Sequence, residues 1–252
     1  MLSSAYAGRN TAHSRLQSIF ATLQDNCGGP FYLENTTGNQ DWPDAGIYYF
    51  FDPTTDFTQP PSQWRLVRIG TVGVSAGSSN GLWSRLRQHR GNTERAEHPN
   101  GGNHRGSVWR RHVGRALIER DGLHEQFPHW GTPHRDGIPI ETTELREQEH
   151  PLELAVSAYI RRLPFLVVDI PGEPGPKSDR AFIEKNTIAL VSQSRLRGDQ
   201  QIPDGWPGNH AATGEIRQSG LWNIDHVGGF HTTAALDLLE DYTASTDPVA
   251  NE

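Results

Sequence analysis

Apolar residues recur with two different periods along this chain. In residues 12–24, AHSRLQSIFATLQ, Leu16, Ile19, Phe20 and Leu23 fall three and four apart, which predicts one face of a helix. Residues 46–51, GIYYFF, and 64–70, WRLVRIG, instead gather aromatic and β-branched side chains between Pro, Asp and Gly punctuation, and read as strands. Residues 165–170, FLVVDI, form an apolar run with one acid, as in a strand buried on both faces. Helical spacing predicts further helices over 81–90, 107–120, 144–163 (stopping before Pro164), 178–192 and 232–242, with Ser79 or Asn80 able to cap the first. The links 52–62, 71–80, 91–106, 121–143 and 171–176 read as loops or irregular chain. Two strands, then helices, a third strand and a closing helix predict a small three-stranded sheet flanked by helices, an α/β (α+β) fold.

Composition narrows the setting. The chain has 252 residues, room for one large domain or two small ones, and no internal repeat is visible. Its single cysteine, Cys27, excludes an intramolecular disulfide framework and favours a reducing compartment. No apolar run approaches the roughly 18 residues of a membrane span, and no signal-type apolar stretch opens the chain. An intracellular, cytoplasmic protein without a membrane partner is the expectation.

Net charge is −7, which taken alone argues against nucleic acid. Its distribution argues otherwise. From Leu82 to Arg120, nine arginines face three glutamates, a net of +6 that leaves −13 on the rest of the chain. Such asymmetry suits an anion-binding face on an acidic body. The second predicted helix carries Arg110, Arg111 and Arg115, the preceding loop Arg105, and the first basic helix Arg87. These are candidate contacts to a DNA backbone; a solvated helix face paired to acids elsewhere is the bland alternative.

Gly46-Ile47-Tyr48 on the first strand and Arg68-Ile69-Gly70 on the second resemble the paired motifs of the GIY-YIG nuclease family. LWSRLRQHR then supplies Arg85 on the following helix, with His89 one turn later on the same face. FIEKNTIALVS supplies Glu184 and Asn186 on the helix after the third strand. The resemblance covers residues 42–192, leaving 1–41 and 193–252 as N- and C-terminal extensions that pack on the core. It departs from the family at Arg68, where tyrosine is usual, and after it, where Thr71 and Val72 replace the usual lysine.

The resemblance implies a phosphodiester hydrolase acting on DNA with one divalent ion, Mg²⁺ or Mn²⁺, held by Glu184. Tyr48 would be the general base, Arg85 and Arg68 the phosphate contacts, and His89 a partner of phosphate, Tyr48 or water. Tyr49, on the other side of the strand, reads as packing. Glu153, before the third strand, is the competing carboxylate. Asn209 and Asn223 are both candidates for the asparagine that the family often carries late, and Trp222 reads as an anchor for the tail. A stand-alone, restriction-like enzyme, open to working as a homodimer, is the fullest form of this expectation. Three rivals stay open: a non-catalytic nucleic-acid-binding module on the same fold, a protein with no nucleic-acid role, and an enzyme for RNA or branched DNA.

Overall fold

The strand that begins at Gly46 lies inside the sheet, and its neighbours explain why it begins with glycine. A computed structural model of the chain describes residues 2–52, 64–73, 81–91, 99–132, 137–196, 198 and 200–250, with side chains from residue 11 onward. Four antiparallel strands, β1 (Phe31–Tyr32), β2 (Gly46–Asp52), β3 (Arg65–Thr71) and β4 (Pro164–Asp169), align in the order β1-β4-β2-β3. Gly46 pairs with Asp169 of β4, and a Cβ on it would lie 2.1 Å from the Val168 carbonyl oxygen. Only a bare backbone passes that point.

The sheet has one strand more than the hydrophobic pattern predicts. The extra one, β1, is two residues long, too short to show any alternation, and pairs Phe31 with Phe165 at the outer edge. The others fall where expected. β2 is buried from Gly46 to Phe51 and β4 from Pro164 to Val168, because helices cover both faces of the sheet.

Among the described residues the α-helices are α1 (Leu2–Cys27), α2 (Leu82–Arg90), α3 (Val108–Asp121), α4 (Thr142–Arg161), α5 (Asp179–Leu196), α6 (Gly214–Ser219) and α7 (Thr233–Ala244). The six-residue α6 carries too little periodicity to be predicted. Ser107 caps α3 by accepting a hydrogen bond from the Arg110 amide, and Gly122, at φ 66°, closes it in the left-handed region. The proposed caps Ser79 and Asn80 lie outside the described residues; the cap position of α2 is Gly81.

Alternation along β2 sends its aromatics to two different layers. Tyr49 and Phe51 pack on Phe20 of α1, with ring centroids 4.9 and 5.1 Å apart. Tyr48 and Phe50 face the other way: Tyr48 meets His89 of α2, and Phe50 meets Trp109 of α3 at 4.7 Å. The tail closes the free edge of β3. The Trp222 amide donates to the Val67 carbonyl at 2.7 Å, and Asn223 both accepts from the Ile69 amide and donates to its carbonyl. Trp222 is therefore the anchor its sequence suggested, buried with its indole donating to the Tyr159 hydroxyl. No helix among the described residues is long and apolar enough to cross a membrane.

The close approach at Gly46 is testable. Gly46→Ala is expected to lower the free energy of unfolding by about 1–3 kcal/mol, read from urea denaturation. Gly175→Ala, where nothing lies within 4 Å of the added Cβ, is the control and should stay within about 0.5 kcal/mol.

Candidate active site

Tyr48 reaches its place because Gly70 stands opposite it in the β2–β3 ladder. A Cβ on Gly70 would meet the Tyr48 hydroxyl at 2.2 Å, so the phenol ring lies across a position that must be glycine. The hydroxyl is 2.8 Å from Nε2 of His89, and Nδ1 of His89 is 2.9 Å from Oγ of Ser107. Tyr48, His89 and Ser107 are all buried. Burial, reinforced by Arg85, Arg68 and Arg110, holds His89 well below the ordinary histidine value, so the imidazole is neutral at physiological pH.

A neutral ring carries one proton, which limits these bonds to two arrangements. Either Ser107 donates to Nδ1 and Nε2–H donates to the Tyr48 oxygen, or Tyr48 donates to Nε2 and Nδ1–H donates to Ser107. Only the first puts a donor on the tyrosine oxygen, as a phenolate there requires. Ser107 Oγ remains free to accept from the Arg110 amide, 3.3 Å away. Ser107 is a site residue that the sequence reading passed over; its signal was its place immediately before a helix.

Arg110 does not lie on a DNA-facing surface, which corrects the expectation for that residue. It is fully buried; Nε and Nη2 donate to the Glu153 carboxylate, Nη2 also to Ser157 Oγ, and Nη1 to the His89 carbonyl at 2.9 Å. Burial alone would push Glu153 up, but His104 and Arg110 outweigh it and hold the carboxyl at about 2. Glu153, the competing metal carboxylate, is thus spent on fixing α2, α3 and α4 together. Arg105 is likewise committed: its guanidinium pairs with both oxygens of Glu149 and donates to the Thr132 carbonyl. Arg111 is part-exposed, and Arg115 and Arg87 are exposed on their helices.

Glu184 projects from α5 and is only partly exposed. Burial raises its carboxyl to about 7 against the opposing pull of Arg68 and Arg85, with exposed Asp225 adding to the rise. Arg68 and Arg85 therefore act electrostatically on both His89 and Glu184, and Tyr48 joins this group through its hydrogen bond to His89. Arg68 is held by donating to the Trp222 carbonyl at 3.0 Å, and Arg85 donates to Gln88 one turn along its helix at 2.9 Å. Among the described residues, no hydrogen bond or salt bridge reaches the Glu184 carboxylate. A lone, partly desolvated carboxylate suits a hard divalent cation. No three His, Cys, Asp or Glu side chains converge among the described residues, so water and phosphate oxygens would complete such a shell.

The three asparagines each hydrogen-bond to the backbone. Asn186 accepts from the Thr232 amide at 2.8 Å and holds the start of α7; Asn209 donates to the carbonyls of Pro203 and Asp204. Asn223 alone lies at the motif strand, clasping Ile69 between Arg68 and Gly70.

A family model for the GIY-YIG domain matches residues 7–249. The chain belongs to the GIY-YIG family, whose activity is in general that of a nuclease. No curated protein and no solved structure matches it.

The raised Glu184 has a stability consequence with a definite sign. Between its ordinary 4.5 and about 7, the folded chain keeps a proton that the unfolded chain has released. The contribution is full below 4.5 and lost as pH rises through about 7. In EDTA, the denaturation midpoint of the wild type should therefore fall across that window relative to Glu184→Gln. Parallel profiles for the two proteins would contradict the desolvated placement of this carboxyl.

Proposed function

We propose that this chain is a metal-dependent endonuclease that hydrolyses DNA phosphodiester bonds in a stand-alone, restriction-like role. The observation that carries it is that Arg68 and Arg85 act both on Glu184, a carboxylate with no hydrogen bond or salt bridge among the described residues, and on His89, the partner of Tyr48. Glu184 would hold one Mg²⁺ or Mn²⁺ ion, which when bound supplies Lewis-acid charge to the phosphate. Arg85 and Arg68 take the nonbridging oxygens, where a planar guanidinium matches the phosphate edge. Tyr48 accepts a proton from the attacking water, with Nε2–H of His89 stabilising the phenolate that does so. The water oxygen bonds to phosphorus as the P–O3′ bond breaks. The leaving 3′-oxygen takes a proton from solvent water, and Tyr48 returns the one it accepted to solvent, giving 3′-hydroxyl and 5′-phosphate ends.

DNA is favoured by the exposed cations Arg87 and Arg115 and part-exposed Arg111, on an otherwise acidic chain. A second reading rests on Arg68 in place of the family tyrosine: a nucleic-acid-binding module that no longer cuts. Incubation with supercoiled plasmid separates the two. Nicking is expected with Mg²⁺ or Mn²⁺, none with EDTA, and losses of at least about a hundredfold in Tyr48→Phe and Glu184→Ala. Undiminished cutting by Glu184→Ala would sink the mechanism. Salt-dependent plasmid binding without cutting in any divalent ion would favour the binding module.

A further inference from the structure

The arginines of this chain divide by what they touch. Arg15, Arg65, Arg105, Arg110 and Arg120 pair with carboxylates, and Arg161, Arg180, Arg195 and Arg217 are spent on backbone carbonyls. Among the described residues, Arg68, Arg111 and Arg115 form no salt bridge, although Arg68 donates to the Trp222 carbonyl at 3.0 Å and Arg115 to the Gly131 carbonyl at 3.4 Å. Two of these three also carry a polar atom that is sealed from solvent and has no partner: Nε of Arg68 and Nε of Arg111. Nε2 of His112 is in the same condition, on a side chain that is 6% exposed.

These groups share one corner of the fold. Arg68 is the cross-strand partner of Phe50, so both face the same side of the sheet; Phe50 packs on Trp109, and His112 follows Trp109 by three residues on α3. Arg111 and Arg115 lie against Gly131, where a Cβ would be 2.8 Å from Nε of Arg115 and 3.1 Å from Cγ of Arg111. That glycine, at φ 77°, leaves room for the Arg115 guanidinium and the aliphatic stem of Arg111. Burial, with Arg111, Arg115 and Arg68 adding to it, lowers His112 to about 4, so its ring is neutral. Cations gathered on part-exposed or exposed residues without a carboxylate favour a ligand that brings several acceptor oxygens. Carboxylates that might have answered, Glu149 and Glu153, are already bound to Arg105 and Arg110.

We propose that Arg68, Arg111, Arg115 and His112 form a second phosphate-binding subsite beside the Tyr48–Glu184 centre, filled by a backbone phosphodiester neighbouring the one that is cut. The choice of ligand rests on the nuclease reading above; the subsite itself rests on three arginines gathered around His112 without a salt bridge among the described residues. Arg68 would then bridge the two positions, which gives the arginine in place of the family tyrosine a role. The enzyme would need at least two consecutive phosphates and would act poorly on single phosphodiesters.

Thymidine oligomers with one phosphate (TpT) and two (TpTpT) test this by NMR titration of the full chain in EDTA, where no cleavage occurs. The second phosphate is expected to tighten binding about tenfold, the scale of one charge-assisted hydrogen bond. Arg111→Ala with Arg115→Ala should abolish that gain. Arg115→Gln, at an exposed position, should reduce the gain while keeping the fold. Equal gains in variants and wild type, or no gain in the wild type, would overturn the subsite. Plasmid cleavage is scored separately. A protein that shows the gain but never cuts keeps the subsite and loses the nuclease reading; one that cuts without the gain does the reverse.

Discussion

The hydrogen bond between Tyr48 and His89 is the constraint from which the rest of the site follows. Two polar side chains meet in the core, where an unpaired polar group costs about 1–3 kcal/mol. Each must therefore be satisfied internally, and the satisfaction runs outward in a chain. Gly70 clears the space for the phenol, and Ser107 takes the far nitrogen of the imidazole. Arg110 takes the His89 carbonyl, Glu153 takes Arg110, and His104 takes Glu153. One network thus ties β2 to α2, α3, α4 and the loop before α3, and fixes the tyrosine oxygen by over-determination rather than by a single contact.

Charge is sorted on the same principle. Arginines that stabilise the framework have carboxylates assigned to them, with Glu149 and Glu153 both spent inside the molecule. Among the described residues, Arg68, Arg111 and Arg115 have none, and Glu184 is left without a hydrogen bond. A folded chain tolerates an unmatched set of charges of this kind where a ligand supplies the matching ones. The acidic body and the cationic corner then make sense together: net repulsion elsewhere and focused attraction at one place.

Much of this was legible in the residues. Buried strands announce themselves as unbroken apolar runs, so β2 and β4 were evident, and helical spacing placed α2, α3, α5 and α7 within a few residues. What stayed hidden was whatever depends on distant partners. Nothing near Arg105 or Arg110 in the chain reveals that Glu149 and Glu153, more than forty residues on, claim them. A basic run therefore looked like a continuous tracking surface when only part of it is free. Asn209 and Asn223 could not be separated by sequence, because only the fold returns residue 223 to the strand carrying Arg68 and Gly70. The two-residue β1 and six-residue α6 fell below the length at which periodicity carries information.

The central claim is that His89 stays neutral and gives its Nε2 proton to Tyr48. Nitrogen-15 NMR of the histidine rings, followed from about pH 5 to 8, tests it directly. One ring should show a protonated Nε2 and an unprotonated Nδ1 at every pH, and Ser107→Ala should perturb its Nδ1 signal. A His89 ring that titrates near its ordinary 6.5, or that carries its proton on Nδ1, would contradict the account.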